Sequence, residues 1–79
     1  MISKNILITG GSGYVGTSLC IKLLKDYKVN IVNYDISLFG DEHLPKHERY
    51  KYIKNDLRSI HEFKKTINEN NIDTVLHLA

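Results

Sequence analysis

The 79-residue chain contains one cysteine, Cys20, and one proline, Pro45. A lone cysteine excludes an internal disulfide, and with it a small fold held together by cross-links. No stretch approaches the roughly 18 consecutive apolar residues of a membrane-spanning helix. The opening Met1-Ile2-Ser3-Lys4-Asn5 runs directly into a strand pattern and leaves no room for a signal peptide's apolar region, so a cytoplasmic location is expected. Charge of one sign is also lacking: 11 Lys and Arg against 9 Asp and Glu leave a net charge of +2. The lysines after Lys4 (Lys22, Lys25, Lys28, Lys46, Lys51, Lys54, Lys64, Lys65) are spread along the chain as on a solvated surface, which argues against nucleic acid as a partner. With 42% hydrophobic and 25% charged residues, the composition is that of an ordinary globular domain. A chain this short buries a small share of its surface, so its independent stability is expected to be marginal.

Within that frame the apolar residues fall into alternating patterns. Asn5-Ile-Leu-Ile-Thr9 is a short apolar run closed by glycine and reads as a strand buried on both faces. Val15, Leu19, Cys20, Leu23, Leu24 and Tyr27 lie at helical spacing and predict a helix over about 14–27. Val29 to Tyr34 reads as a second strand, and the polar stretch Ser37 to Glu48, with Gly40 and Pro45, as loop. Tyr50 to Lys54 reads as a third strand. Ser59-Ile60-His61-Glu62 has the form of a capping box, opening a helix whose apolar stripe is Ile60, Phe63 and Ile67 and which ends near Asn70-Asn71. Thr74 to Leu78 is a fourth buried-strand candidate. The order β-α-β-β-α-β predicts an α/β fold, the N-terminal half of a doubly wound parallel sheet of Rossmann type with right-handed crossovers. Because an apolar strand stands at Ala79, residues 1–79 are expected to form an incomplete domain.

The first strand leads into Gly10-Gly11-Ser12-Gly13-Tyr14-Val15-Gly16, and the first helix follows. A glycine pattern alone is weak, but strand, loop, helix and a downstream acid together are the context of a dinucleotide-binding loop. One glycine takes the tight turn, one removes the side chain that would block the pyrophosphate, and one lets helix pack close to strand. Amides at the helix N-terminus then face the phosphates along a favourable dipole. Two registers match, Gly11-x-Gly13-x-x-Gly16 and Gly10-x-x-Gly13-x-x-Gly16, so Gly10 and Gly11 share one role between them. Asp35 closes the second strand 19 residues after Gly16. A carboxylate there accepts from both adenosine ribose hydroxyls and repels a 2′-phosphate, which favours NAD over NADP. No Lys or Arg lies in the glycine loop or between Asp35 and Pro45 to hold such a phosphate.

With these features in place the sequence resembles the extended short-chain dehydrogenase/reductase family, and within it the NAD-dependent sugar-nucleotide epimerases and dehydratases. The residues that carry the resemblance are Ile6 through Gly16, Asp35, Asn55-Asp56-Leu57-Arg58, and Asp73 through Ala79. It spans essentially the whole chain, which would be the first quarter or so of such an enzyme. The resemblance implies that Tyr14 and Val15 offer amides to the pyrophosphate and that Asp56, with the amide of Leu57, meets the adenine. It further implies that Leu78 and Ala79 line the nicotinamide-side ribose. The family's catalytic pair is a helical Tyr-x-x-x-Lys. The one match here, Tyr50-x-x-x-Lys54, falls on a strand, where four residues span about 13 Å against about 6 Å on a helix. No catalytic residue is therefore expected in this chain.

Other candidates carry less. His43 and His47, with Glu42 and Glu48 nearby, have ligand-like spacing, but Pro45 between them opposes a helix, and no metal site is expected. His77 in the fourth strand and Cys20 on the helix stripe read as packed residues, as do Phe63 and Ile67. The expected function is the NAD-binding segment of a sugar-nucleotide epimerase or dehydratase. Its whole enzyme would act by transient hydride transfer at a sugar carbon, with a small-molecule sugar nucleotide as substrate and a homodimer as the assembly the resemblance implies. The alternative is a non-catalytic dinucleotide-binding module.

Overall fold

The computed structural model describes residues 4–36, 43–56 and 58–78. Six elements follow in order: β1 (Lys4–Thr9), α1 (Tyr14–Asp26), β2 (Val29–Asp35), β3 (Tyr50–Lys54), α2 (Ile60–Glu69) and β4 (Thr74–His77). The four strands form one parallel sheet in the order β3-β2-β1-β4, which is the expected half of a doubly wound sheet. β1 to β2 steps one way across the sheet and β3 to β4 steps back the other way. Right-handed crossovers in opposite directions place their helices on opposite faces, and the side chains obey this. Ile6, Ile8, Val29 and Ile31 pack with Cys20 and Leu24 of α1, whereas Leu7, Val32 and Tyr34 pack with Phe63 and Ile67 of α2 and with Ile72.

β1 and β2 are covered on both sides, so consecutive residues are buried rather than alternate ones. On the α2 side, the rings of Tyr34 and Phe63 meet edge to face, with centroids 5.3 Å apart, the arrangement their quadrupoles favour. On the α1 side, burial pushes the Cys20 thiol up to about 11, which leaves it an inert core group. The C-terminal end of α1 is closed from outside the helix. The Arg49 guanidinium, just before β3, donates to the carbonyls of Leu24, Tyr27 and Val29 at 2.9–3.0 Å. The Leu24 and Tyr27 carbonyls stand at the end of α1, where no amide of the helix follows to pair with them, and the Val29 carbonyl opens β2.

Three local expectations are corrected. The capping box does not form: Ser59 is the N-cap of α2 but makes no side-chain cap bond. Its amide, which Glu62 would need, already donates to the Asp56 carbonyl at 3.0 Å. The apolar stripes are narrower than periodicity implies, for Val15, Tyr27 and Ile60 stay exposed. β4 is half-buried in alternation instead of buried throughout, because among the described residues it pairs only with β1. No helix among the described residues is long and apolar enough to cross a membrane.

Candidate functional site

The strand order reverses between β1 and β4, and in an open α/β sheet the crevice beyond the carboxyl ends of the strands at that reversal is where ligands bind. The glycine loop fills this position, joining the end of β1 to the N-terminus of α1. The backbone separates the roles that the sequence left shared. Gly10 has φ 73°, a left-handed conformation that a Cβ opposes, so Gly10 makes the turn. At Gly11 a Cβ would lie 2.5 Å from Oδ1 of Asn33, so this glycine admits a side chain of β2 beneath the loop. At Gly16 a Cβ would meet the Gly11 Cα at 2.6 Å and the Gly10 carbonyl oxygen at 2.7 Å, so its absence lets α1 close on the turn.

Gly13 differs from all three. A Cβ there would find only the Gly10 carbonyl oxygen, at 3.8 Å, an ordinary contact. Among the described residues, nothing requires glycine at this position. Gly13 borders an open pocket of about 490 Å³, also lined by Ser12, Tyr14, Thr17, Ser18 and His43. It is the N-cap of α1, no side chain caps that end, and no acid stands in the first turn. Tyr14 and Val15, the first two helical residues, are largely exposed. The first turn thus presents backbone donors and the positive end of the helix dipole to the pocket.

Asp35, at the end of β2, stands beside the loop. Its Oδ2 accepts from the Ser12 amide at 3.1 Å and its Oδ1 from the Ile36 amide at 2.8 Å. Among the described residues each oxygen retains a lone pair, so the carboxylate is oriented without being saturated. Ser12 is held on two further sides. Its hydroxyl accepts from Nδ2 of Asn33 at 3.0 Å, and its carbonyl is 2.7 Å from Nε2 of His43, which donates there. Asn33 Nδ2 also donates to the Tyr50 hydroxyl at 2.9 Å. Burial pushes that hydroxyl up to about 12, against the opposing effect of the Asn33 bond, so Tyr50 stays protonated at neutral pH.

Of the other predicted site residues, Asp56 lies beyond β3. Its carboxylate pairs with Arg58, Oδ2 to Nη2 at 2.7 Å, and its Oδ1 accepts from the Arg58 amide at 2.9 Å. Arg58 holds the Asp56 carboxyl below the usual carboxylate range. The Leu78 amide donates to the Thr9 carbonyl at 2.9 Å, which sets it at the crevice beyond β1 and β4. Leu57 and Ala79 lie outside the described residues, as does Glu42. Tyr50 and Lys54 sit on β3, not on a helix. His77, read as packed, is exposed, with Nδ1 2.6 Å from the Thr9 hydroxyl across the β1–β4 pair. His47 accepts from the Arg49 amide at its Nδ1.

Two residues at the loop escaped sequence reasoning. His43 reaches Ser12 across 31 positions, and no periodicity reports such a contact. Asn33 carried a signal that went unused: it is a polar residue inside an apolar strand run.

The comparisons with known proteins bear on the family and the fold. The sequence pattern of the family described as GDP-mannose 4,6 dehydratase matches residues 7–79. The human dTDP-D-glucose 4,6-dehydratase is 31% identical over 98% of this chain and 24% of its own length. The structure of an epimerase from Methanothermobacter thermautotrophicus superposes with a TM-score of 0.84 and 32% identity, covering 98% of this chain and 23% of that one. A UDP-glucose 4-epimerase from Thermus thermophilus, solved as a complex with NAD, gives a TM-score of 0.81 and 25% identity over 95% of this chain and 24% of that one. The chain therefore spans about a quarter of the length of the relatives it matches. It belongs to the GDP-mannose 4,6 dehydratase family, within the extended short-chain dehydrogenases/reductases that its sequence resembles.

Proposed function

We propose that residues 1–79 form the NAD-binding opening of a sugar-nucleotide dehydratase or epimerase. The observation that carries this is Gly13, a glycine that none of the described residues requires, set in an open pocket at an uncapped helix N-terminus. A Cβ there would occupy the space a pyrophosphate must approach, so the residues present fit the cofactor. Relatives with NAD in their solved structures support the choice of ligand.

In this reading, Gly10, Gly11 and Gly16 shape the loop, and Gly13 admits the phosphates to the first-turn amides of Tyr14, Val15 and Gly16. Asp35, already aligned by Ser12 and Ile36, accepts the adenosine ribose hydroxyls with its remaining lone pairs and rejects a 2′-phosphate by charge. Asp56 and the Leu57 amide meet the adenine, and Leu78 and Ala79 border the nicotinamide-side ribose. When bound, NAD supplies the hydride acceptor and donor for a transient oxidation of the sugar. The acid/base pair lies in another part of the enzyme, so this segment's task is to bind and orient.

Titration of the intact protein with NAD and NADP tests the reading. Gly13→Val is expected to abolish NAD binding while the fold persists, and Asp35→Ala to weaken NAD by about tenfold and narrow the preference over NADP. Retained affinity in Gly13→Val would show that the loop is not the site.

A further inference from the structure

We propose that Asn33 is a positioning residue for the glycine loop, holding Ser12, and through it Asp35, in the arrangement that receives the dinucleotide. The proposal rests on the NAD reading above and goes beyond it, because Asn33 lies beneath the loop and outside the pocket.

Asn33 lies on β2 with its side chain on the α1 side of the sheet, the side of Ile31 and Cys20, and is fully buried. In that place an apolar residue would extend the core. Its Nδ2 spends both hydrogens on hydroxyls, those of Ser12 and Tyr50, while its Oδ1 is buried without a partner among the described residues. The opposite amide orientation would leave two N–H groups unpaired instead of one acceptor, so the observed orientation is the better one. An unpaired buried oxygen opposes folding. Asn33 therefore contributes placement that a leucine of similar shape would not.

The geometry shows what is placed. The space beneath Gly11 is filled by the Asn33 amide, so the turn rests on it. Tyr50 on β3 fixes the amide from the other side. With its hydroxyl held by Asn33, its amide by Asp35 and its carbonyl by His43, Ser12 has every polar group engaged. The next residue is Gly13. A shift of Ser12 would move both the open face of the loop and the carboxylate beside it.

The test is NAD affinity alongside thermal unfolding of the ligand-free intact protein, for Asn33→Leu, Tyr50→Phe and the double variant. Asn33→Leu is expected to bind NAD about tenfold more weakly, Tyr50→Phe about threefold. The double variant should match Asn33→Leu, since Tyr50 acts through Asn33. Asn33→Leu removes one unpaired oxygen but also takes a partner from the Ser12 and Tyr50 hydroxyls, so its unfolding midpoint should shift little. Loss of affinity without loss of stability is the signature that a merely structural role would not give. Unchanged affinity in Asn33→Leu, a loss that tracks falling stability, or multiplying effects in the double variant would overturn the proposal. Ser12→Ala removes the acceptor while sparing both strands, and should also lose about threefold. It serves if Asn33→Leu does not fold, and wild-type affinity in it also overturns the proposal. A wild type that binds no NAD overturns both this inference and the functional reading, whereas normal wild-type binding with silent variants overturns this inference alone.

Discussion

The β1–α1–β2 half and the β3–α2–β4 half share one sheet but are packed differently. In the first half, Leu7, Ile8, Ile31 and Tyr34 are at most 1% exposed, and even the polar residues Thr9, Ser12 and Asn33 are buried. In the second half, no residue of β3 is fully buried, burial alternates along β4, and Val75 and Ile60 are 46% and 64% exposed. The glycine loop and Asp35 both hang from the first half. A binding loop works when its atoms are held to fractions of an ångström by a rigid support, and the central strands, paired on both sides, provide that support. Of the edge strands, β3 supplies Tyr50, whose hydroxyl accepts from Asn33, while Asp56 and Leu78 follow β3 and β4.

The largest expected effects test that difference directly. Leu7→Ala should cost about 2–5 kcal/mol, because the cavity lies between two covered faces. Val75→Ala should stay within about 0.5 kcal/mol, as an exposed position does. Denaturant unfolding compares them, and similar losses would break the contrast between the halves. Gly16→Ala should come next, at about 1–3 kcal/mol, because the added methyl meets backbone that cannot swing aside. Its counterpart Gly13→Ala should cost less than about 1 kcal/mol, since the methyl enters open space at a helix cap. Equal destabilisation by the two would mean that Gly13 serves the fold after all.

The smallest effect sits at the bottom of the sheet. The Asp73 carboxylate accepts from the Asn5 amide at 2.9 Å and from the Thr74 hydroxyl at 2.8 Å, and these bonds hold its carboxyl below the usual range. A folded-state value below the unfolded one means that the unfolded chain takes up the proton first. Asp73 therefore stabilises the fold above the ordinary carboxylate range, and the contribution disappears as pH falls through its depressed value. Asp56, held low by Arg58, adds a limb of the same sign. In unfolding curves collected across the acid range, Asp73→Asn should flatten part of the decline and be slightly less stable than the wild type at neutral pH, where the ionised carboxylate contributes. An unchanged acid limb would remove Asp73 as a cause.

Most of the fold could be read before any coordinates because its strands are short apolar runs and its helices carry a clear period. Those are local properties of the chain, and the strand bounds at Tyr50–Lys54 and the end of β2 at Asp35 follow from them within a residue. The capping box failed for a non-local reason: the Ser59 amide was already taken by the turn from Asp56. The full burial expected of β4 failed because composition reports how apolar a strand is, not how many neighbours cover it. Residue by residue, the roles of the glycines needed the backbone, since all four look alike as letters.

What the sequence determined by itself is the alternation of elements, the glycine spacing and the acid at the end of β2, and with them the family. Each of these depends on residue type and local spacing alone. Tertiary structure decided which glycine faces open space, that Asn33 supports the loop from below, and that His43 reaches Ser12 from another segment. Those depend on contacts between residues 21 to 31 positions apart, brought together by parallel strands whose side-chain partners no local pattern records.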